Sequence, residues 1–254
     1  MTTLFGANLS LPVARQVSPG QILNWLAAGW RDVRANPIPS LAYGLLFGLA
    51  GDMILLASIS RPHLFGVAIS GFFLIAPLLA AGLYELSRQN AAGNKPIFIE
   101  SLQVFSRHGR SLGLFGLLLG AIALLWERLS AIAFSLLGDQ SGLAIKQFFT
   151  QIVLSGDHNG FFIAWLIIGG MLALLTFALS VASGPLIIDR KRDVLDAMLF
   201  SLNAFATNVV PLLLWAMAIV ALTLLGFATL LFGLVIIMPI LGHASWHAYR
   251  DLVE

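Results

Sequence analysis

Two histidines, His243 and His247, stand four residues apart near the end of the sequence. On a helix that spacing puts both imidazoles on one face, where they could share a metal ion or serve a haem. Without a matched carboxylate the pair suits equally an interfacial belt with Trp246 and Arg250. A second group, Asp52, Glu127 and Arg128, lies inside long apolar stretches, where each charge costs about 2.5–3.5 kcal/mol and calls for a partner or a path. Counted from Asn36 and His108, these three lie roughly 24 to 30 Å along their helices, at the outer rim. There Arg128 pairs with Asp52 or Glu127, or Asp52 serves a proton or ion route, or all three are exposed. A third set emerges by counting from Pro77, Pro185 and Pro239. Eight residues on stand Glu85, Asp193 and His247, and eleven on stand Arg88, Asp196 and Arg250. These residues would ring one mouth of a helical bundle, with Glu85–Arg250 and Asp193–Arg88 as ion pairs, or stand as separate solvated helix ends.

Other chemistry is excluded by absence. With no cysteine among 254 residues, disulfides, thiolate metal sites, iron–sulfur clusters and cysteine nucleophiles are out. No H-E-x-x-H, G-x-S-x-G or phosphate-binding loop occurs. The net charge is only +2, and a nucleic-acid surface needs a basic face that this chain lacks.

The elements that must carry these residues are membrane spans. Apolar residues make up 59% and charged residues 10%, too few charges to cover a soluble protein of this length. Six stretches approach the roughly 20 residues a span requires: 39–59, 64–84, 111–137, 161–187, 209–226 and 229–248. Eleven Lys and Arg fall on one side of these spans and three (Arg61, Arg128, Lys146) on the other. The richer side is cytoplasmic by the positive-inside rule, so both termini are expected there. Residues 1–20 form an N-terminal tail without the apolar run of a signal peptide.

The spans fall into three like-oriented units, 21–90, 91–191 and 192–254. Before each hairpin of spans runs an apolar stripe at offsets of four, four and three: Ile22, Leu26, Trp30, Val33 before Asn36, and Val194, Met198, Leu202, Phe205 before Asn208. Before His108 it is Phe98, Leu102 and Phe105. Such stripes predict amphipathic helices at the cytoplasmic interface, with Trp25 and Trp30 in the headgroup zone. The fold class expected is therefore all-α: six transmembrane helices arranged as three parallel repeats of amphipathic helix plus hairpin, with pseudo-threefold symmetry. Ser183-Gly184-Pro185 reads as a span interruption, and Gly44-x-x-x-Gly48 as a packing seam. On the outer side, 141–154 predicts an interfacial helix that caps the bundle or docks a partner.

Four segments carry a resemblance: WRDVRANP at 30–37, APLLAAGLYELSR at 76–88, PLIIDR at 185–190 and PILGHASWHAYR at 239–250. With them the chain resembles, from about residue 21 to 253, a bacterial family of integral membrane proteins called domain of unknown function 2189. The resemblance implies a bacterial inner-membrane location and brings no established activity. Some members carry a label likening them to cytochrome c oxidase subunit I. A haem–copper core needs more histidines, on a larger scaffold, than the five here, so the residues do not support that label.

Three functions remain open. The first is a non-enzymatic scaffold or accessory module that binds lipids or other membrane proteins, including a respiratory complex. The second is a transporter or channel for ions or small solutes with a path at the pseudo-threefold axis. It would lack the Pro-x-Asp/Glu-x-x-Lys/Arg signature of mitochondrial carriers, since Leu78, Leu79, Ile240 and Leu241 follow Pro77 and Pro239. The third is a haem- or metal-binding accessory of a respiratory oxidase through His243 and His247. A scaffold would need no cofactor.

Overall fold

The computed structural model describes residues 13–60, 80–135, 159–229 and 232–253. Most of the second apolar stretch, the outer segment 141–154, Pro77, His63 and His158 lie outside the described residues. Those that are described form α-helices, with no strand among them. In chain order these are α1 (Gln21–Ala35), α2 (Pro37–Ser60), α3 (80–91), α4 (Phe98–Ser101), α5 (Gln103–Arg107) and α6 (Gly109–Ser135). There follow α7 (Asn159–Ser180), α8 (Ser183–Arg190), α9 (Val194–Thr207), α10 (Val209–Ala228) and α11 (Leu234–Val253).

Three helical stretches are long and apolar enough to cross a membrane: Gly109–Ala133, Asn159–Arg190 and Val209–Ala228. Their outward-facing residues include Leu117, Ile167, Met171 and Val220, all exposed. In water such surface would be costly, and in lipid it is the expected exterior.

Three junctions share one construction. At Asn36, His108 and Asn208 the backbone leaves the helical region, with φ/ψ of −136°/66°, −121°/14° and −129°/44°. Each residue's N–H closes the helix before it, on Asp32, Val104 and Ala204, while its carbonyl accepts the first bond of the helix after it. One residue thereby ends one helix and starts the next, satisfying groups that a break would leave bare.

The stripes before these junctions are only partly as expected. The buried face of α1 is Trp25, Ala28, Gly29, Asp32 and Val33, whereas Trp30 is exposed. Trp25 turns inward rather than to the surface: it is buried edge-to-face on Trp215 of α10, centroids 5.7 Å apart. In the middle unit Leu102 is exposed and separates two short helices, with Ser101 and Val104 buried instead. In α9, Val194 and Met198 are buried and Phe205 partly so, as expected.

The interruption at Ser183-Gly184-Pro185 is a helix break between α7 and α8. Pro185 lacks an N–H and its ring crowds the carbonyl four residues back. Ser201 of α9 repairs the gap: its hydroxyl donates to the Ala178 carbonyl (2.7 Å) and accepts from the Ala182 N–H (3.2 Å). The Gly44–Gly48 seam faces α11. Pro239 likewise removes the usual partner of the Val235 carbonyl, and a Cβ on Gly44 would fall on that carbonyl. Glycine therefore lets α2 touch the α11 backbone where proline has opened it. Gly29 does the same for α1, since its Cβ would lie 2.5 Å from the Ile240 oxygen and 2.8 Å from the Ala244 nitrogen.

Candidate functional site

These close approaches bring α1, α2, α3 and α11 together, and polar side chains from all four meet where they converge. Asp32 of α1, Ser40 of α2, Ser87 of α3 and His243 of α11 are all buried. Asn90 and His247 lie at the edge, partly exposed.

The bonds form one continuous chain. Ser40 Oγ is 2.9 Å from His243 Nε2, and Ser87 Oγ is 2.6 Å from His243 Nδ1. Ser87 also donates to Asp32 Oδ2 at 2.8 Å. Asp32 Oδ2 receives His247 Nε2 at 3.0 Å, and its Oδ1 receives Asn90 Nδ2 at 2.7 Å.

Counting protons assigns the roles. Ser87 has a single O–H, which it gives to the acceptor-only carboxylate, so its oxygen must accept from His243 Nδ1–H. Nε2 is then free to accept from the Ser40 hydroxyl. A neutral imidazole with its proton on Nδ1 satisfies every link.

Asp32 has no Lys or Arg among these partners. Burial alone would raise its carboxyl, but the bond from His247, helped by the His243 side and the Ser87 bond, outweighs that. The group is held below the ordinary carboxylate range.

The order Ser40–His243–Ser87–Asp32 resembles a nucleophile–base–orienter array with one extra hydroxyl. Such an array works only where substrate reaches the serine and donors await the oxyanion. Ser40 has no exposed surface and His243 has 2%. As built, the array ties four helices together.

Other ties surround it. Trp25 Nε1 donates to Asp251 at 2.8 Å, and Tyr249 donates to Asp189 at 2.8 Å. Asn208 pins the N-terminal segment, accepting from Val17 N–H (2.7 Å) and donating to the Arg15 carbonyl (2.8 Å). Arg15 N–H reaches the Leu252 carbonyl at 2.9 Å, so the two ends of the described chain lie side by side.

The residues singled out from sequence are distributed differently from the expected ring. Glu85 binds Arg88 of its own helix through two 2.7 Å bonds rather than forming the expected pair with Arg250. Burial would raise the Glu85 carboxyl, and the Arg88 bonds, with Gln89, override it and hold it low. Asp193 does not sit eight residues along a span. Helix α8 ends at Arg190, Lys191 turns left-handed at φ 51°, and Asp193 is the exposed N-cap of α9. Its neighbour Arg192 approaches Asp196 at 3.9 Å. His247 belongs to the cluster through Asp32, and Arg250 is one turn further along α11, partly exposed.

Of the rim group, Arg128 lies 3.1 Å from Glu127, and Asp52 is exposed on α2. For His243 and His247 as a metal pair, the structure commits both nitrogens of His243 to serines and Nε2 of His247 to Asp32. Among the described residues no group of three or more His, Asp or Glu is placed to hold a metal ion.

Asp32, Ser40, Ser87 and Asn90 were not legible as a site. The one available signal was Asp32 itself, an acid three residues after Gly29 on a helix whose other buried positions are apolar.

Through residues 64–189 the chain belongs to the family described as predicted integral membrane protein, domain of unknown function 2189. No curated protein matches it, and no solved structure does.

Proposed function

We propose that this protein is a six-span inner-membrane protein with both termini cytoplasmic, acting as a non-enzymatic scaffold or accessory module for lipids or other membrane proteins. The observation that carries this reading is the fate of its buried polar groups. Asp32, Ser40, Ser87 and His243 are spent on one another across four helices, and the helices beside them turn Leu, Ile, Met and Val outward. A conducting path would need polar groups facing a solvated interior, and a reacting centre would need access. The pairing of Arg15 with Leu252 supports termini on one side, and so does the eleven-to-three charge bias. The three alike junctions support three parallel units.

The test is extraction of the tagged full chain from native membranes in a polymer nanodisc, followed by protein and lipid mass spectrometry. A membrane protein or lipid class recovered near stoichiometry, and lost on changing outward-facing residues of α7, is the expected result. Recovery of the chain alone with bulk lipid overturns the reading. For topology, the absence of native cysteine makes single-cysteine labelling clean. Lys95→Cys and Lys191→Cys should react only after permeabilisation, and Asn159→Cys in intact cells.

A further inference from the structure

Away from the polar cluster, α2, α3, α6, α7, α8, α10 and α11 line a half-open cavity of about 700 Å³. That is within the range of about 300–1,000 Å³ that holds a small-molecule ligand. Its walls are apolar and aromatic. Trp126 and Trp165, with ring centroids 5.2 Å apart, line one part of it, and Tyr84, Gly242 and Ser245 another. From Trp165 to Ser180, both on the wall, α7 runs fifteen residues, roughly 22 Å of helix. The space is therefore elongated.

The hydroxyls on the wall are mostly self-contained. Thr176 donates to Leu172, Ser180 to Phe177 and Ser245 to Leu241, each within its own helix. Tyr84 and Thr223 differ: each lines the cavity with no hydrogen bond to any described residue, and of the two Tyr84 is the stronger donor. A phenolic donor in an apolar space is costly unless something in that space accepts its proton. Ser245, whose proton is already given to Leu241, offers an acceptor on the same wall. Glycines keep the cavity open, and a Cβ on Gly170 meets nothing within 4 Å.

We propose that this cavity binds one long apolar chain bearing a carbonyl or hydroxyl oxygen, the oxygen held by Tyr84 and the chain running toward Trp126 and Trp165. Two sources share that chemistry, the ester end of a phospholipid acyl chain and a free fatty acid. The proposal deepens the scaffold reading, resting on it only in placing the cavity within the bilayer.

The test uses the full chain reconstituted in phosphatidylethanolamine–phosphatidylglycerol vesicles with palmitic acid carrying a mid-chain diazirine. After photolysis, labelled residues are mapped by mass spectrometry. Expected is saturable labelling on the cavity faces of α6 and α7, near Ala123, Trp126 and Gly169. Gly170→Leu, whose Cβ meets nothing within 4 Å, should lower that labelling about tenfold, a difference of the order one filled subsite makes. Tyr84→Phe should lower it about fivefold, the worth of one hydrogen bond. Labelling of outward residues such as Leu117 and Ile167 should stay unchanged in both variants. Competition by unlabelled palmitate, against competition by excess diacyl lipid, identifies the source. Labelling confined to the outer faces, or cavity labelling indifferent to Gly170→Leu, overturns the proposal. Cavity labelling without any co-purifying partner would sink only the protein-scaffold reading, and a partner retained without cavity labelling would sink only this one.

Discussion

The corner where α1, α2, α3 and α11 meet and the side built from α6 and α7 solve the same problem in opposite ways. In the corner, backbones approach closely over Gly29 and Gly44, and buried polar side chains join all four helices. On the α6–α7 side contact among the described residues is sparse. Trp126 and Trp165 pack as tilted rings, Trp165 donates to Ser130 at 3.0 Å, and apolar residues line an open cavity. In a bilayer, helices gain nothing from hiding apolar surface from lipid, so close packing and interhelical hydrogen bonds must hold them. The corner has both and should be the rigid half. The other half has little of either, and it is the half that can admit a guest.

That contrast can be broken most forcefully at Asp32. Replacing it with Ala strips the acceptor from Ser87, Asn90 and His247 together, and stability should fall by about 3 kcal/mol, read as a lower midpoint of thermal unfolding in detergent. Gly44→Val should cost nearly as much, about 2–3 kcal/mol, because the Val235 carbonyl cannot retreat. Should Gly44→Val unfold normally, the α2–α11 contact is not the tight one described.

Acid supplies a milder probe. Asp32 and Glu85 are both held below the ordinary carboxylate range. In acid the unfolded state therefore binds more protons than the folded one, and stability rises with pH there. Their contribution should be whole above roughly pH 5 and fade as pH falls below about 4. Unfolding midpoints from pH 3 to 7 should decline on the acid side in the native protein and less steeply in Asp32→Asn. A flat profile in both would remove Asp32 from the account. The smallest effect belongs to the loose half: Arg128, with its side chain 71% exposed beside Glu127, should tolerate Gln at a cost under about 0.5 kcal/mol.

The same contrast explains what was readable in the chain. Apolar length, proline and glycine are local signals. From them the α-helical class, the break at Pro185 and the Gly44–Gly48 seam could be read directly. The stripe of α1 gave little hint of the buried face: Trp30 belongs to the stripe and is exposed, while Asp32 is polar and sits inside. Nothing within α1 reports that Ser87, Asn90 and His247, from helices 55 to 215 residues away, arrive to solvate it. The pairs around Glu85, Asp193 and His247 differ from those expected for a related reason. The expected ring assumed equal helix lengths after each proline, whereas Lys191 ends α8 before Asp193 is reached.

The most direct test of the corner as a closed interhelical clamp is a double-mutant cycle. Asp32→Ala and His243→Ala are made singly and together in the full chain, and unfolding free energies are compared. Because Ser87 links the two side chains, the pair should be coupled by about 1 kcal/mol or more, the double variant losing less than the sum of the singles. Additivity within about 0.5 kcal/mol would show that Asp32 and His243 act separately, and the clamp as described would be wrong.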